Sequence, residues 1–344
     1  MNGFHVPKEK AQVVKEYLTE HHLLDKMSLL VKDDNTITFP ILSKSNLLKV
    51  FPFGTFITAR FPSVQKKQTF KEALVALLTP AEQQHKQQHI ISGFDVIGDI
   101  AIVEIPPELR KKEKKIAQLL LGYAHVKTVV KKGTIHHGTY RVQRMVHLAG
   151  KRTMETIYRE SGIKVKLNVS KVYFSPRLAE ERKRIAALVK PKEKVLVLFS
   201  GVGIYPMVIA HNTSASLVYG IELNPIGHKY ALINKELNHL QNIEFICGDA
   251  GKEIRKLHVR FDRIIMPLPK NAADFLGSAL AVAKKGTVVH FYDFFPEKDI
   301  PHEPKTRIRQ LCRKWKIPCR IITVVKCGQY APYVSRVCID FSIG

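Results

Sequence analysis

The chain has 344 residues, 45% hydrophobic and 25% charged, as in an ordinary globular protein with room for two or three domains. A run of about eighteen apolar residues, the length of a transmembrane helix, occurs nowhere in it. Fifty-five Lys and Arg against thirty Asp and Glu leave a formal net charge of +25, which favours an anionic partner. Nucleic acid is preferred to a membrane surface, because no basic amphipathic helix with an aromatic face is present.

The cysteines and histidines give no pattern typical of a metal site or of disulfides. The cysteines are odd in number and none has CxxC spacing, as expected in a reducing cytoplasm. They are Cys247, Cys312, Cys319, Cys327 and Cys338. His136 and His137 are adjacent and would face opposite sides of a strand, so we interpret them as solvated or RNA-facing. The N-terminus also lacks the layout of a secretory signal, and we expect a cytoplasmic protein.

The first zone, residues 1–88, has the pattern of a small α+β domain. Its predicted elements are one helix and two strands, Lys8–His21, Thr36–Leu42 and Thr55–Phe61. In the helix Val13, Val14 and Leu18 recur at helical spacing. The polar stretch at 83–88 reads as a linker that ends this zone.

The second zone, residues 89–170, is predicted to be a basic α+β domain. Two short β runs within Phe94–Val103 are separated by Gly98 and Asp99, which predicts a hairpin. A basic helix is predicted over Pro106–Leu121. Further strands are predicted at Val126–Val130, Tyr140–Met145 and Lys164–Val169. A positively charged β surface of this kind suits a phosphate backbone.

The third zone, residues 171–344, alternates strands and helices, as in a doubly wound α/β domain. Val195–Phe199 is an unbroken apolar run, typical of a strand buried on both faces of a parallel sheet. The other predicted strands are Leu217–Leu223, Ile243–Ile246 and Arg263–Met266, and the predicted helices are Pro225–Leu237 and a segment ending near His211. We therefore predict a Rossmann-like domain.

Three features fall at the carboxyl ends of these strands, where α/β domains bind their ligands. Phe199–Gly203 supplies glycines where the backbone must pass close to a ligand. Glu222 can accept hydrogen bonds from both ribose hydroxyls, and Asp249 from an adenine amino group. A nicotinamide dehydrogenase would show a similar turn and acidic residue, but its third glycine is missing after Gly203. The Gly-Asp-Ala turn at 248–250 favours S-adenosylmethionine as the nucleotide.

One segment has the sequence of a known family. Tyr173–Arg182, with the pattern SPRL-x-x-ER, closely resembles the entry segment of the archaeal and eukaryotic tRNA (guanine-37 N1)-methyltransferases. The likeness extends to Ser92–Ala101, His290–Tyr292 and Tyr330–Pro332, and so covers nearly the whole chain. It implies a Rossmann-like, S-adenosylmethionine-dependent methyltransferase domain at 171–344, preceded by two small α+β RNA-binding domains. It also implies a monomer that binds the anticodon loop and the elbow of tRNA, the elbow through the first zone, and an activity that depends on magnesium.

The resemblance also assigns residues to the site. N1-methylation of guanine requires removal of the N1 proton while negative charge develops on O6. The resemblance gives the general base as Glu181 and the O6 stabiliser as Arg141, although Arg144 is close by. The residues expected to bind the cofactor or line the pocket are Tyr173, Arg177, Arg182, Phe199, Gly201, Gly203, Glu222, Leu223, Asn224, Asp249, Ala250 and Pro267.

The loop after the fourth strand departs from the family. Here Pro267 occupies the position of an Asn that positions the target base, and proline has no side-chain amide to donate. Some archaeal relatives with an altered loop also methylate the wyosine precursor 4-demethylwyosine at the same tRNA position. Besides methylation of guanosine 37 we therefore keep two alternatives, this dual specificity and a non-catalytic tRNA-binding protein.

Overall fold

A computed structural model describes residues 1–44, 46–62, 69–79, 93–123, 125–133, 138, 140–267 and 271–344. These residues form two compact units, Met1–Thr69 and Phe70–Gly344. The linker predicted at 83–88 and the pair His136 and His137 lie outside the described residues.

The first unit is a four-stranded antiparallel sheet with two helices. Its elements are β1 (Asn2–Pro7), α1 (Ala11–Glu20), β2 (Val31–Lys32), β3 (Thr36–Pro40), α2 (Leu47–Val50) and β4 (Thr55–Thr58), with strand order β2-β3-β1-β4. Phe4 and Phe39 pair across β1 and β3 and pack with Val14 and Leu18 of α1 in a buried core. The predicted helix is confirmed, but Val13 is 59% exposed, because residues four apart share one helix face and Val13 lies beside it.

The second unit begins with a mixed sheet covered by two helices. Its elements are α3 (Phe70–Leu77), β5 (Phe94–Ile97), β6 (Ile100–Val103), α4 (Glu113–Leu121), β7 (Thr128–Lys132) and β8 (Met145–Gly150), with strand order β5-β6-β7-β8. Phe70 of α3, a helix that the sequence-based division assigns to the first zone, packs in the same core as Ile116 and Leu120 of α4. The hairpin β5–β6 is confirmed, with Gly98 at its turn at a φ of +58°.

Two further sequence predictions for this region have different outcomes. The strand predicted over Tyr140–Met145 is wrong for most of its length, because Tyr140 and Arg141 lie in a turn and β8 begins at Met145. The strand at Lys164–Val169 is confirmed as β10 (Ile163–Asn168), which pairs antiparallel with β9 (Glu155–Glu160).

The β9–β10 hairpin packs against a helix of the C-terminal half, α7 (Pro225–Leu237). Asn234 on α7 accepts a hydrogen bond from the backbone N–H of Lys166 at 2.7 Å and donates one to the Lys166 carbonyl at 3.0 Å. These bonds satisfy backbone groups on the edge of a two-stranded sheet, and they fix the hairpin to the nucleotide-binding half of the unit.

The predicted doubly wound domain is confirmed as a seven-stranded sheet of order β13-β12-β11-β14-β15-β17-β16. Its strands are β11 (Lys194–Leu198), β12 (Leu217–Glu222), β13 (Ile243–Cys247), β14 (Phe261–Met266), β15 (Ala283–Pro296), β16 (Cys319–Ala331) and β17 (Val334–Ile343). Its helices are α5 (Ala179–Ala187), α6 (Ile204–Asn212), α7 (Pro225–Leu237), α8 (Ala250–Glu253), α9 (Ala272–Ala281) and α10 (His302–Lys314). The strands from β13 to β15 are parallel, and β17 pairs antiparallel with β15 and with β16.

The central strand β11 determines where a ligand can bind. Val195 and Val197 face one buried core and Leu196 and Leu198 the other, so the strand is covered on both faces. From β11 the chain continues to β12 on one side, and it returns later to β14 on the other. Loops that leave in opposite directions open a crevice at the carboxyl ends of these strands.

Candidate active site

The loop after β11 has three residues in the left-handed region of backbone space. Phe199, Gly201 and Gly203 have φ values of +56°, +58° and +85°. A Cβ at Gly203 would lie 2.6 Å from the Phe245 ring, so this glycine permits helix α6 to start close to its neighbours. At Gly201 a Cβ would meet only the Tyr173 carbonyl, at 3.8 Å. Gly201 therefore leaves open space beside the backbone, where a ligand can approach.

Glu222 ends β12 and is held by backbone donors. Its two carboxylate oxygens accept hydrogen bonds from the backbone N–H groups of Gly201 and Asn224, each at 2.7 Å. Burial raises the pKa of Glu222, and the backbone donors at Asn224 and Gly201 oppose that shift. Each oxygen keeps a second lone pair, so the carboxylate can still accept hydrogen bonds from a vicinal diol.

Asn224 and Asp249 cap the two following helices. The Asn224 side chain accepts from the backbone N–H of Ile226 at 3.0 Å and donates to the Lys171 carbonyl at 3.0 Å. Asp249 accepts from the backbone N–H of Lys252 at 3.0 Å. N-cap residues of these types satisfy free helix donors, so the sequence itself fixes both loops. The loops after β11, β12 and β13 are called the strand-end loops below.

A cavity of about 480 Å³ lies at these loops. Most of the predicted site residues line it, namely Arg141, Tyr173, Arg182, Phe199, Gly201, Glu222, Leu223, Asn224, Asp249, Ala250 and Pro267. Gly203, Arg177 and Glu181 are described but are not part of the lining. The structure thus brings residues from positions 141 to 267 of the chain together around one space.

Arg177, just before α5, and Arg182, within α5, form very different ion pairs. Arg177 is exposed, and its guanidinium donates two hydrogen bonds to Asp95, at 2.8 and 3.1 Å. The Arg182 side chain is only 2% exposed and pairs through two bonds with Glu160, at 2.6 and 2.5 Å. It also donates to the Ser175 carbonyl at 3.2 Å. Arg182 therefore joins the Tyr173–Arg184 segment to the β9–β10 hairpin at the cavity wall.

Glu181 lies behind the cavity wall, with its side chain 4% exposed. Arg184 donates to both of its oxygens, at 2.7 and 2.8 Å, and Tyr292 donates to one of them at 2.6 Å. The Tyr292 hydroxyl lies 3.4 Å from that of Tyr205, which lines the cavity. Arg184 and Tyr292 thus direct three hydrogen bonds at the Glu181 carboxylate, and Tyr292 and Tyr205 lie between it and the cavity.

The structure adds cavity residues that the sequence analysis did not single out. They are Gly138, Tyr140, Val172, Phe174, Ser175, Leu178, Ser200, Val202, Ile204, Tyr205, Ile221, Gly227, Gly248, Asn271 and Phe275. Among the described residues, Ser200 is one of three with a buried side-chain nitrogen or oxygen that has no hydrogen-bond partner. An orphaned hydroxyl in a cavity wall suits a polar ligand group. Ser200 lies inside the predicted ligand-binding loop Phe199–Gly203, and this position is the sequence feature that indicates its role.

Within the described part of the chain, one buried group has the ligand types of a metal site. One ligand atom from each of His290, Cys338 and Asp340 lies within 4.8 Å of the others. Two guanidinium groups contact it, since Arg184 donates to Asp340 at 2.7 Å and Arg263 lies 2.6 Å from His290. This positive surrounding disfavours a cation, and magnesium in particular prefers oxygen ligands. The cluster therefore does not fit the magnesium ion that the resemblance implies.

Comparison with family models gives two matches. The model described as the TRM5/TYW2 methyltransferase domain matches residues 156–322, and the TYW2 N-terminal domain matches residues 74–153. Of the described helices, none is long and apolar enough to cross a membrane.

Relatives match over the whole length. The chain is 34% identical to the tRNA (guanine(37)-N(1))-methyltransferase Trm5b of Pyrococcus abyssi, over 98% of each chain. The crystal structure of that protein has a TM-score of 0.75 and covers 100% of this chain and 99% of its own. A complex of aTrm5 with tRNALeu is 27% identical, with a TM-score of 0.70 and full coverage of both chains. The Taw22 enzyme of Nanoarchaeum equitans, named for guanine(37)-N(1) and 4-demethylwyosine(37), is 34% identical over 62% of this chain and 87% of its own.

Proposed function

This chain belongs to the TRM5/TYW2 methyltransferase family, and we propose that it transfers the methyl group of S-adenosylmethionine to N1 of guanosine 37 in tRNA. The observation that carries this proposal is the single cavity, which the strand-end carboxylates Glu222 and Asp249 share with Arg141 and Tyr173. A nucleotide site and residues suited to a guanine therefore meet in one space.

The cavity fits S-adenosylmethionine in size and chemistry. Its volume of about 480 Å³ is that of an ordinary cofactor site. Glu222 would accept hydrogen bonds from the ribose hydroxyls, Asp249 from the adenine amino group, and Ser200 has an unused hydroxyl for a polar group. When bound, the cofactor supplies an electrophilic methyl group on a sulfonium.

The chain's own residues would handle the proton and the developing charge. Glu181 accepts the N1 proton on a carboxylate oxygen, which leaves the N1 electron pair to form the new bond. Arg141 presents its forked N–H donors to O6, where negative charge accumulates. Tyr205 and Tyr292 lie between Glu181 and the cavity, so we expect both side chains to move aside when the guanine binds against the Tyr173–Arg184 segment.

The net charge of +25 supports tRNA as the substrate, as does the family. We propose that the zones 1–88 and 89–170 hold the elbow and the anticodon loop, reading shape more than sequence. The zone 171–344 then binds the cofactor, in a monomer that acts in the cytoplasm.

The direct test is transfer of labelled methyl from S-adenosylmethionine to two tRNA transcripts, one with guanosine and one with adenosine at position 37. We expect label in the first transcript alone, recovered as 1-methylguanosine by mass spectrometry of nucleosides. Equal labelling of both transcripts would contradict the assignment of the target, and labelling of neither, with the tRNA still bound, would make the chain a non-catalytic tRNA-binding protein. The same assay with and without EDTA tests magnesium dependence.

A second candidate is methylation of 4-demethylwyosine at C7. Pro267 lines the cavity where the family has an Asn, and the related Taw22 enzyme is named for both substrates. We propose that loss of the amide makes the site tolerant of the tricyclic base. Incubation with tRNA carrying 4-demethylwyosine should give a methylated product, and Pro267→Asn should reduce it relative to 1-methylguanosine. An unchanged product ratio in Pro267→Asn would remove Pro267 from the explanation.

A further inference from the structure

A row of buried polar side chains runs through the interior of the second unit and ends at Glu181. In order, its members are Glu193, Arg263, His290, Asp340, Arg184 and Glu181. Each neighbouring pair is in contact at 2.6 to 2.8 Å. Such a row is costly to bury unless every member is paired, so each side chain depends on its neighbours in the row.

The β-sheet register explains why the row forms. His290 lies opposite Asp340 in the pairing of β15 with β17, and Tyr292 lies opposite Cys338. Residues two apart on a strand share a face, so His290 and Tyr292 point to the same side of the sheet. The His-Phe-Tyr motif at 290–292 therefore supplies two contacts of one network, with Tyr292 on Glu181 and His290 on Asp340.

The hydrogen bonds define the protonation of His290. Its Nδ1 lies 2.7 Å from Asp340, an acceptor, and its Nε2 lies 2.6 Å from Arg263, a donor. The ring must therefore carry its proton on Nδ1 and be neutral. Burial lowers the pKa of His290, and the charges of Arg263 and Arg184 add to this, although Asp340 opposes it.

Arg184 is shared between two carboxylates. Its Nε and Nη2 donate to Glu181 at 2.7 and 2.8 Å, while Nη1 donates to Asp340 at 2.7 Å. Nη2 also lies 3.4 Å from the second oxygen of Asp340. A small rotation of the guanidinium thus moves Nη2 from Glu181 to Asp340 while the Nη1 bond is kept.

Four further groups near Glu181 carry no charge. Burial raises the pKa of Tyr205, Tyr292, Cys327 and Cys338, so all four are neutral near pH 7. Among the charged groups, Arg184 contacts the Glu181 carboxylate and Asp340 acts through Arg184, while Arg182 and Arg336 act on the neighbouring Tyr205 and Cys327. When Glu181 gains a proton, Arg184 without Asp340 would become a half-buried cation with no counter-ion.

We propose that Asp340 and Arg184 are positioning residues that allow Glu181 to act as a base, with Asp340 drawing Arg184 away as Glu181 accepts the proton. This inference rests on the proposed role of Glu181 in methyl transfer. The proton moves from N1 of the guanine to Glu181, the Arg184–Glu181 ion pair breaks, and the Arg184–Asp340 pair is retained. Arg184 thus keeps a buried counter-ion throughout the proton transfer.

The test is single-turnover methyl transfer at saturating cofactor and tRNA, measured across pH. In Asp340→Asn, Arg184 pairs with Glu181 alone and favours its ionised form, so the rate falls by about tenfold or more and the acid limb of the profile moves to lower pH. In Arg184→Gln the acid limb moves to higher pH, because the cation that favours the carboxylate is gone. Cofactor and tRNA affinities stay within about twofold in both variants.

The matched control is Glu193→Gln, which changes the far end of the same row without contacting Arg184. Its acid limb should coincide with that of the wild type. If Asp340→Asn and Arg184→Gln lower the rate equally at all pH values, with no displacement of the limb, the two residues are only structural. If Glu181→Gln is fully active, the proposed base itself is wrong, whereas loss of activity in Glu181→Gln with a wild-type limb in Asp340→Asn overturns this inference alone.

Discussion

The strand-end loops and the Tyr173–Arg184 segment line the same cavity but are stabilised by different interactions. Asn224 and Asp249 accept from backbone N–H groups two and three residues away. Glu222 accepts from the backbone N–H groups of Asn224 and of Gly201, which lies 21 residues away in the neighbouring loop. Arg182 and Arg184 instead pair with Glu160 and Asp340, which are 22 and 156 residues away in the chain. The loops are thus held by hydrogen bonds between side chains and the backbone, and the segment by ion pairs between side chains. We infer that the loops serve binding, which needs a fixed shape, and the segment serves a proton transfer, which needs charges that can be re-paired.

The largest effect on stability should come from the segment. Arg182→Met leaves the Glu160 carboxylate, 4% exposed, without its guanidinium. Removal of one partner of a buried pair costs about 3 to 5 kcal/mol of the free energy of unfolding. Denaturant unfolding of Arg182→Met, of Glu160→Leu and of the double variant measures it, and the double variant should recover much of the loss. Strictly additive losses would show that the two side chains do not act as a pair.

An intermediate effect on affinity should come from the loops. In Glu222→Gln the side chain presents an amide to one of two backbone donors, so either Gly201 or Asn224 loses its acceptor. The amide nitrogen also cannot accept from a ribose hydroxyl, and a hydrogen bond lost in this way costs about 1 to 3 kcal/mol, which is about a 5- to 160-fold loss in cofactor affinity.

Calorimetric titration with S-adenosylmethionine checks this prediction, with Glu244→Gln on the neighbouring strand as the control. tRNA affinity should not change in Glu222→Gln. Unchanged cofactor affinity would mean that the loops do not bind the cofactor through Glu222.

A smaller effect is expected on the pH dependence of stability, and it comes from the row of buried polar side chains that ends at Glu181. Since the folded-state pKa of His290 is lowered, the unfolded chain binds a proton below about pH 6.5 that the folded chain does not. Burial alone would raise the pKa of Asp340, but His290 and Arg184 hold it below its ordinary value. Protonation of Asp340 therefore lowers the free energy of unfolding further at still lower pH. The free energy of unfolding should therefore fall on acidification, by up to about 1.4 kcal/mol per pH unit for His290.

His290→Gln isolates that contribution, because an amide can both donate to Asp340 and accept from Arg263. Thermal unfolding between pH 8 and 5 should show a steeper decline of Tm for the wild type than for the variant. Parallel curves would mean that His290 does not titrate differently on folding.

The same contrast explains what could be predicted from the sequence. The loops can be predicted because each apolar run is followed at once by a glycine turn or a carboxylate, and Glu222 and Asp249 do line the cavity. The partners of Glu181 were not found, because Arg184 is bound to Asp340 only after β17 has paired with β15. The strand predicted at Tyr140–Met145 failed for a related reason, since Arg141 lies in a turn at a φ of +51° that alternating residues do not reveal.

Glu181→Gln separates the two roles in one experiment, because we expect the segment to perform the chemistry and the loops to bind the cofactor. Single-turnover methyl transfer to a tRNA with guanosine 37 and equilibrium binding of S-adenosylmethionine should be measured on the same preparation. We expect the transfer rate to fall by about 10²- to 10⁴-fold while cofactor affinity stays within about twofold of the wild type. A wild-type transfer rate, or a loss explained entirely by weaker cofactor binding, would contradict it.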